Sequence, residues 1–116
     1  MALVPVGSDH SIAGIIHVQI VRDDAATDPQ TAFSAQINAP NLGMQTLPLN
    51  NASTLNFPVK SGAMSGTIHV EVDDFRTLPA GVAPSAATAI ACSIVFKLQE
   101  FFSITLGSVP VTAALT

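Results

Sequence analysis

Apolar and polar residues alternate with a period of two along much of this chain, the repeat of a half-buried strand rather than a helix. Within residues 12–20, Ile12, Gly14, Ile16, Val18 and Ile20 form one face, while His17 and Gln19 point the other way. Within 67–73, Ile68, Val70 and Val72 oppose Thr67, His69, Glu71 and Asp73. Ile90, Cys92, Ile94, Phe96 and Leu98 repeat the pattern against Ala91, Ser93, Lys97 and Gln99. Phe102, Ile104 and Leu106 alternate with Ser103 and Thr105, and shorter runs occur at Phe33-Ala35-Ile37 and Leu55-Phe57-Val59. Each run predicts a strand with one face inward.

Proline and glycine fall between the runs, at Pro29, Pro40, Gly43, Gly62, Pro79, Gly81, Pro84, Gly107 and Pro110, and mark turns and edges. The stretch 84–98 begins with alanines that suit a helical turn, but its alternation and Ile/Val content predict a strand. Strands this short and this closely spaced predict an all-β fold. The expectation is an antiparallel β-sandwich, jelly-roll or immunoglobulin-like, or a small barrel of about six to eight strands. The 116 residues suit one domain, 1–116, with a modest core. Apolar, proline-interrupted arms at 1–7 and 107–116 read as extended edge segments.

The sequence also echoes itself. Residues 12–20 (IAGIIHVQI) match residues 64–72 (MSGTIHVEV) with Gly, Ile, His and Val in register. Two related half-domains, or two equivalent strands in facing sheets, would produce this.

Charge turns the architecture toward a role. Four Lys and Arg and eight Asp and Glu make up 10% of the chain, against roughly a quarter in an average soluble domain. They bunch at Arg22-Asp23-Asp24 with Asp28, and at Glu71, Asp73, Asp74 and Arg76; none occurs from Pro29 to Val59 or from Phe101 to Thr116. With 48% hydrophobic residues, too few charges exist to keep a whole surface wet and self-repelling. The surface is therefore expected to lie against other polypeptides, both copies of itself in a homo-oligomer and a second structural protein. A net charge of −4 with four basic residues argues against nucleic acid and against anionic membranes. The opening MALVPVGSDH lacks the basic and apolar regions of a signal peptide. Residues 77–96 are uncharged over about the length that spans a bilayer, but Pro79, Gly81 and Pro84 interrupt them, so no transmembrane segment is expected.

Candidate chemistry is thin. His17 and His69 sit on polar strand faces with carboxylates nearby, and if their strands were neighbours they could converge with Glu71 on a metal. A third or fourth ligand at recognisable spacing is missing, so the expectation is a pair of surface histidines. Asp23, Asp24, Asp73 and Asp74 could offer oxygen to calcium, yet no D-x-D-x-D-G spacing occurs, and they read as solvated strand ends with Asx turns. The absence of Trp and Tyr removes the usual sugar-stacking platforms, and no nucleophile, phosphate-loop or dinucleotide motif is present. Cys92 lies in an alternating run and reads as a buried, inert thiol. No catalytic residue, metal or cofactor is assigned.

The expected interface residues are Leu3, Val4, Val6, Val109, Val111 and Leu115 of the arms, laid across a neighbouring subunit. Asn38, Asn41, Asn50, Asn51 and Asn56 are expected to bond across seams. The function expected is that of a non-enzymatic structural protein, a virion component made in host cytoplasm, such as a phage capsid decoration (cement) protein or a small coat or tail protein. The alternative is a lectin-like or calcium-dependent binding module using the Asp-rich loops.

Overall fold

The period-two runs become two four-stranded antiparallel sheets in a computed structural model that describes residues 2–39, 42–61 and 64–115. The first sheet holds β1 (Leu3–Ile12), β2 (Ile16–Asp23), β3 (Phe33–Ala39) and β4 (Gly43–Pro48), in that order. The second holds β5 (Thr54–Ser61), β6 (Met64–Leu78), β7 (Ala89–Gln99) and β8 (Ser103–Ala114), again in chain order. The expected sandwich is present. Its connectivity is two successive meanders, unlike the interleaved strand orders of jelly rolls and immunoglobulin domains, and the sheets do not close into a barrel. A 3₁₀ turn at Pro84–Ala86 precedes β7, so the alanine-rich stretch divides into a turn and then a strand.

The core lies between the sheets. Phe33, Ile16, Val18, Ile37 and Leu47 from the first meet Phe96, Ile68, Val70, Ile90 and Ile94 from the second, all essentially buried. Each such side chain contributes roughly 1.5–3 kcal/mol on leaving water. No polar or charged residue is buried among the described residues.

Three local departures from the alternation have physical causes. Residues 12–20 are a hairpin rather than one strand, because Ala13 and Gly14 take φ of 54° and 72° and turn the chain. Ile12 then pairs with Ile16, so both still face inward and the period survives the turn. In the last hairpin Phe96 pairs with Gly107 and Lys97 with Thr105, leaving Leu106 as an extra, bulged residue. Past the bulge the odd positions Val109, Val111 and Ala113 face inward, whereas Phe102 and Ile104, expected on an inward face, are exposed. The third departure is in β6, where the register shifts between Asp73 and Arg76 and Asp74 takes φ of 55°.

Proline distribution marks the edges. Each edge strand carries one exposed proline, Pro5 in β1, Pro48 in β4, Pro58 in β5 and Pro110 in β8, and the central strands β2, β3, β6 and β7 carry none. A proline cannot donate to a ladder, so no edge offers an uninterrupted template to another chain.

The sheets are tied together along β1 and β8. A Cβ built on Gly107 would lie 3.3 Å from Ile12 Cδ1, and the guanidinium of Arg22 donates to the Leu115 carbonyl. The β1–β2 and β7–β8 turns thus share one end of the molecule. The β2–β3, β4–β5 and β6–β7 connections share the other. No helix among the described residues is long and apolar enough to cross a membrane.

Candidate functional site

The two histidines do not meet. Val18 and Val70, next to them, are fully buried in the shared core, so alternation turns His17 outward from the first sheet and His69 outward from the second. The metal geometry imagined from the repeat fails because β2 and β6 belong to different sheets. They are equivalent strands, each second in its meander, and Ile16/Ile68 and Val18/Val70 are matched core positions. That equivalence accounts for the echo over residues 16–20 and 68–72; before it, 12–15 is a strand end and turn.

His69 belongs to a polar ladder across the outer face of the second sheet. Its Nδ1 lies 2.8 Å from Asn56 Oδ1 on β5, and its Nε2 lies 3.7 Å from Glu71 Oε2. Glu71 Oε1 accepts a 2.7 Å bond from Lys97 Nζ on β7. The Lys97 hydrogen bond holds the Glu71 carboxyl below its ordinary range, and the same bond raises Lys97. All four side chains stand on one open face and pair across neighbouring strands.

The carboxylates also separate. Asp23 ends β2 and its Oδ1 accepts from Ala25 N at 3.0 Å, the Asx turn expected of a strand end. Asp24 Oδ1 accepts from Ala2 N at 2.8 Å, and Asp24 N donates to Ala2 O, so this residue pins the start of β1. Asp73 and Asp74 are not at a strand end: they occupy the bulge within β6, and the Asp74 carbonyl accepts from Arg76 at 3.2 Å. No group of three or more His, Cys, Asp or Glu able to hold a metal occurs among the described residues.

The arms are the edge strands of their own sandwich. Val109 and Val111 are buried in this chain's core, which removes them from any contact surface, because the odd positions of β8 face inward past the bulge. Val4 and Val6 are half-buried, and Leu115 packs on the core while its N–H donates to Thr88 O. Leu3 remains 56% exposed. Of the asparagines, Asn38 and Asn51 are exposed, Asn56 bonds His69, and Asn50 Oδ1 accepts from Ala52 N and Ser53 Oγ. Asn41 lies outside the described residues, as do Pro40 and Gly62.

Charge is distributed unevenly between the two outer faces. The second sheet presents Lys60, Glu71, Asp73 and Lys97. On the first, β3 and β4 carry no charge, and Gln19, Gln36 and Thr46 stand in one cross-strand row beside His17, Asn38 and Met44 in the next. Among the described residues, the carboxylates of this sheet's strands are Asp9, which lines a shallow pocket with His17, Gln19, Gln36 and Asn38, and Asp23 at the end of β2. Met44 is 54% exposed.

Two features that the sequence reading did not single out lie at opposite ends. At the turn between β7 and β8, Phe101 is 100% exposed, Phe102 61% and Ile104 45%. Ser103 to Leu106 reach past Gly107, beside which Ile12 ends β1, so this hairpin projects. An aromatic pair where turns ordinarily place Gly, Asn or Asp was the available signal. At the other end is a cleft of about 460 Å³ between the β2–β3, β4–β5 and β6–β7 connections. Gln30, Asn50, Asn51, Arg76 and Thr77 supply its polar wall, and Phe75, Ala80, Gly81 and Val82 its less polar wall. No single strand contains this site, so periodicity could not reveal it.

No protein-family model matches this chain, and no curated protein or solved structure matches it either.

Proposed function

We propose that this chain is a non-enzymatic assembly module that buries the outer face of its first sheet against a second copy of itself or another structural protein. The observation that supports this reading is the uneven distribution of charge: one face of the sandwich carries the ion-pair ladder, and on the other β3 and β4 present Gln, Asn, Thr and Met with Asp9 alongside. A face with so few charges is inexpensive to desolvate when its amides find partners across a seam. The prolines on all four edges disfavour continuous strand addition, which directs association to faces and ends. A virion decoration, small coat or tail component is the setting this reading favours. In such a setting many weak, repeated contacts add up, and the charged face is left toward solvent.

The test places positive charge on β3 and β4, the uncharged strands of this face. Gln36→Lys with Thr46→Lys puts two like charges side by side, since these residues are cross-strand partners. Mass measured by light scattering at micromolar concentration is expected to fall to the monomer in this variant, while circular dichroism stays unchanged and melting drops slightly from the repulsion of two opposed lysines. A control, Ser108→Lys on β8 of the second sheet, is expected to keep the wild-type mass. Retention of the wild-type mass by the double variant would remove the first sheet from the interface.

A further inference from the structure

We infer that copies of this chain also join head to tail, the Phe101–Phe102 hairpin of one copy entering the cleft beside Arg76 of the next. The inference rests on the assembly reading above but uses a different surface, at the ends of the molecule rather than on its face.

Three observations select a second copy as the occupant of the cleft. First, the hairpin carries two exposed phenylalanines at a projecting turn, with Ile104 behind them and no charge from Phe101 onward. An aromatic pair held in water by its own chain is stabilised by any pocket that covers it. Second, the cleft has the size for it: about 460 Å³ lies within the range of roughly 300–1,000 Å³ typical of cavities that enclose drug-sized bodies. Its Phe75 and Val82 offer apolar contact, and the Arg76 guanidinium can lie over an aromatic face. Third, the charges match. Glu100 immediately precedes the phenylalanines and is exposed, its carboxylate accepting a 3.3 Å bond from Ser65 Oγ, while Arg76 supplies a cation to the lining of the cleft.

The two surfaces are different and lie at opposite ends, so the contact is heterologous. A heterologous contact between identical subunits repeats into an open filament or closes into a ring. Two phenylalanines bury roughly 300–500 Å² between them, short of the ~1,000 Å² of a stable interface. Each junction is therefore weak alone, and growth depends on protein concentration and on support from the face contact.

The experiment works in the Gln36→Lys, Thr46→Lys background, where the face contact is removed and end contacts stand alone. Sedimentation velocity at high protein concentration is expected to show concentration-dependent association. A tip variant, Phe101→Ser with Phe102→Ser, and a cleft variant, Val82→Asp, are each expected to sediment as monomers. Mixed together they are expected to form a heterodimer and nothing larger, because one intact tip and one intact cleft remain. All these substitutions are at exposed positions, and circular dichroism is expected to be unchanged. Glu100→Arg and Arg76→Glu should each weaken association about tenfold, and their combination should restore most of it. Failure of the mixture to associate, or unaltered association by either single-end variant, would overturn head-to-tail joining. Neither result would touch the face contact, which is read in the otherwise wild-type chain.

Discussion

Arg22 on β2 donates from Nη1 to the carbonyl of Leu115, so the residue that follows β8 in the second sheet is hydrogen-bonded to the first. Leu115 N also donates to Thr88 O at 2.8 Å, closing the end of β8 onto β7. The charged donor stabilises this seam, while its Nε is buried without a partner and offsets part of the gain. Arg22→Met, which keeps the aliphatic stem, is expected to cost about 1–2 kcal/mol. Arg22→Ala should cost more, through lost packing. Urea unfolding checks both, with a lower midpoint and an unchanged slope expected for the Met variant.

Gly66 of β6 has a φ of 145°, and a Cβ there would lie 2.9 Å from the Gln99 carbonyl oxygen and 2.7 Å from Glu100 Cγ. The glutamate can move, but the backbone oxygen cannot without disturbing the β6–β7 ladder. Gly66→Ala is expected to destabilise by roughly 2–3 kcal/mol, as a strained conformation combined with a backbone clash. Thermal melting measures it. At Gly107 the close atom is the flexible end of Ile12, and alanine should be tolerated far better.

Stability should respond to pH through the Glu71–Lys97 pair. The Lys97 bond lowers the Glu71 carboxyl from its ordinary 4.5, so its contribution is present above that value and is lost as pH falls through the lowered one. Lys97 is raised from 10.5, so its contribution is present below that value and disappears as pH rises through the raised one. The Lys97 and Glu71 side chains are 34% and 25% exposed, so the effect is small and reduced by salt. Comparing urea midpoints of the wild type and Glu71→Gln across acid pH checks it: the two should converge as pH falls.

Cys92 faces the core of β7, and burial pushes its thiol up to about 11. The folded protein is expected to react with a thiol reagent at neutral pH at least a hundredfold more slowly than the urea-unfolded chain. Equal rates would show that the strand opens readily.

How much of this was legible in the sequence depends on the range of the signal. Ile68, Val70, Ile94 and Phe96 announce their strands because alternation is local and each strand buries one face. The echo between Ile16-His17-Val18 and Ile68-His69-Val70 also pointed correctly to equivalent strands. What sequence could not supply was which outward residues face the same way in space. His17 and His69 looked like a pair and stand on opposite faces, whereas Gln36 and Thr46 come together only through the β3–β4 register. The cleft beside Arg76 draws on three separate connections. The bulge at Leu106 changes which residues of β8 point inward, so Val109 and Val111 read as arm surface until the register was known.

The most direct measurement is the mass of the wild-type protein in solution, by light scattering over a range of concentrations near and above micromolar. Assemblies of two or more copies, growing with concentration, are expected. A strict monomer throughout that range, with no tendency to join, would contradict the claim that copies of this chain cover one another through the sparsely charged face of the sandwich.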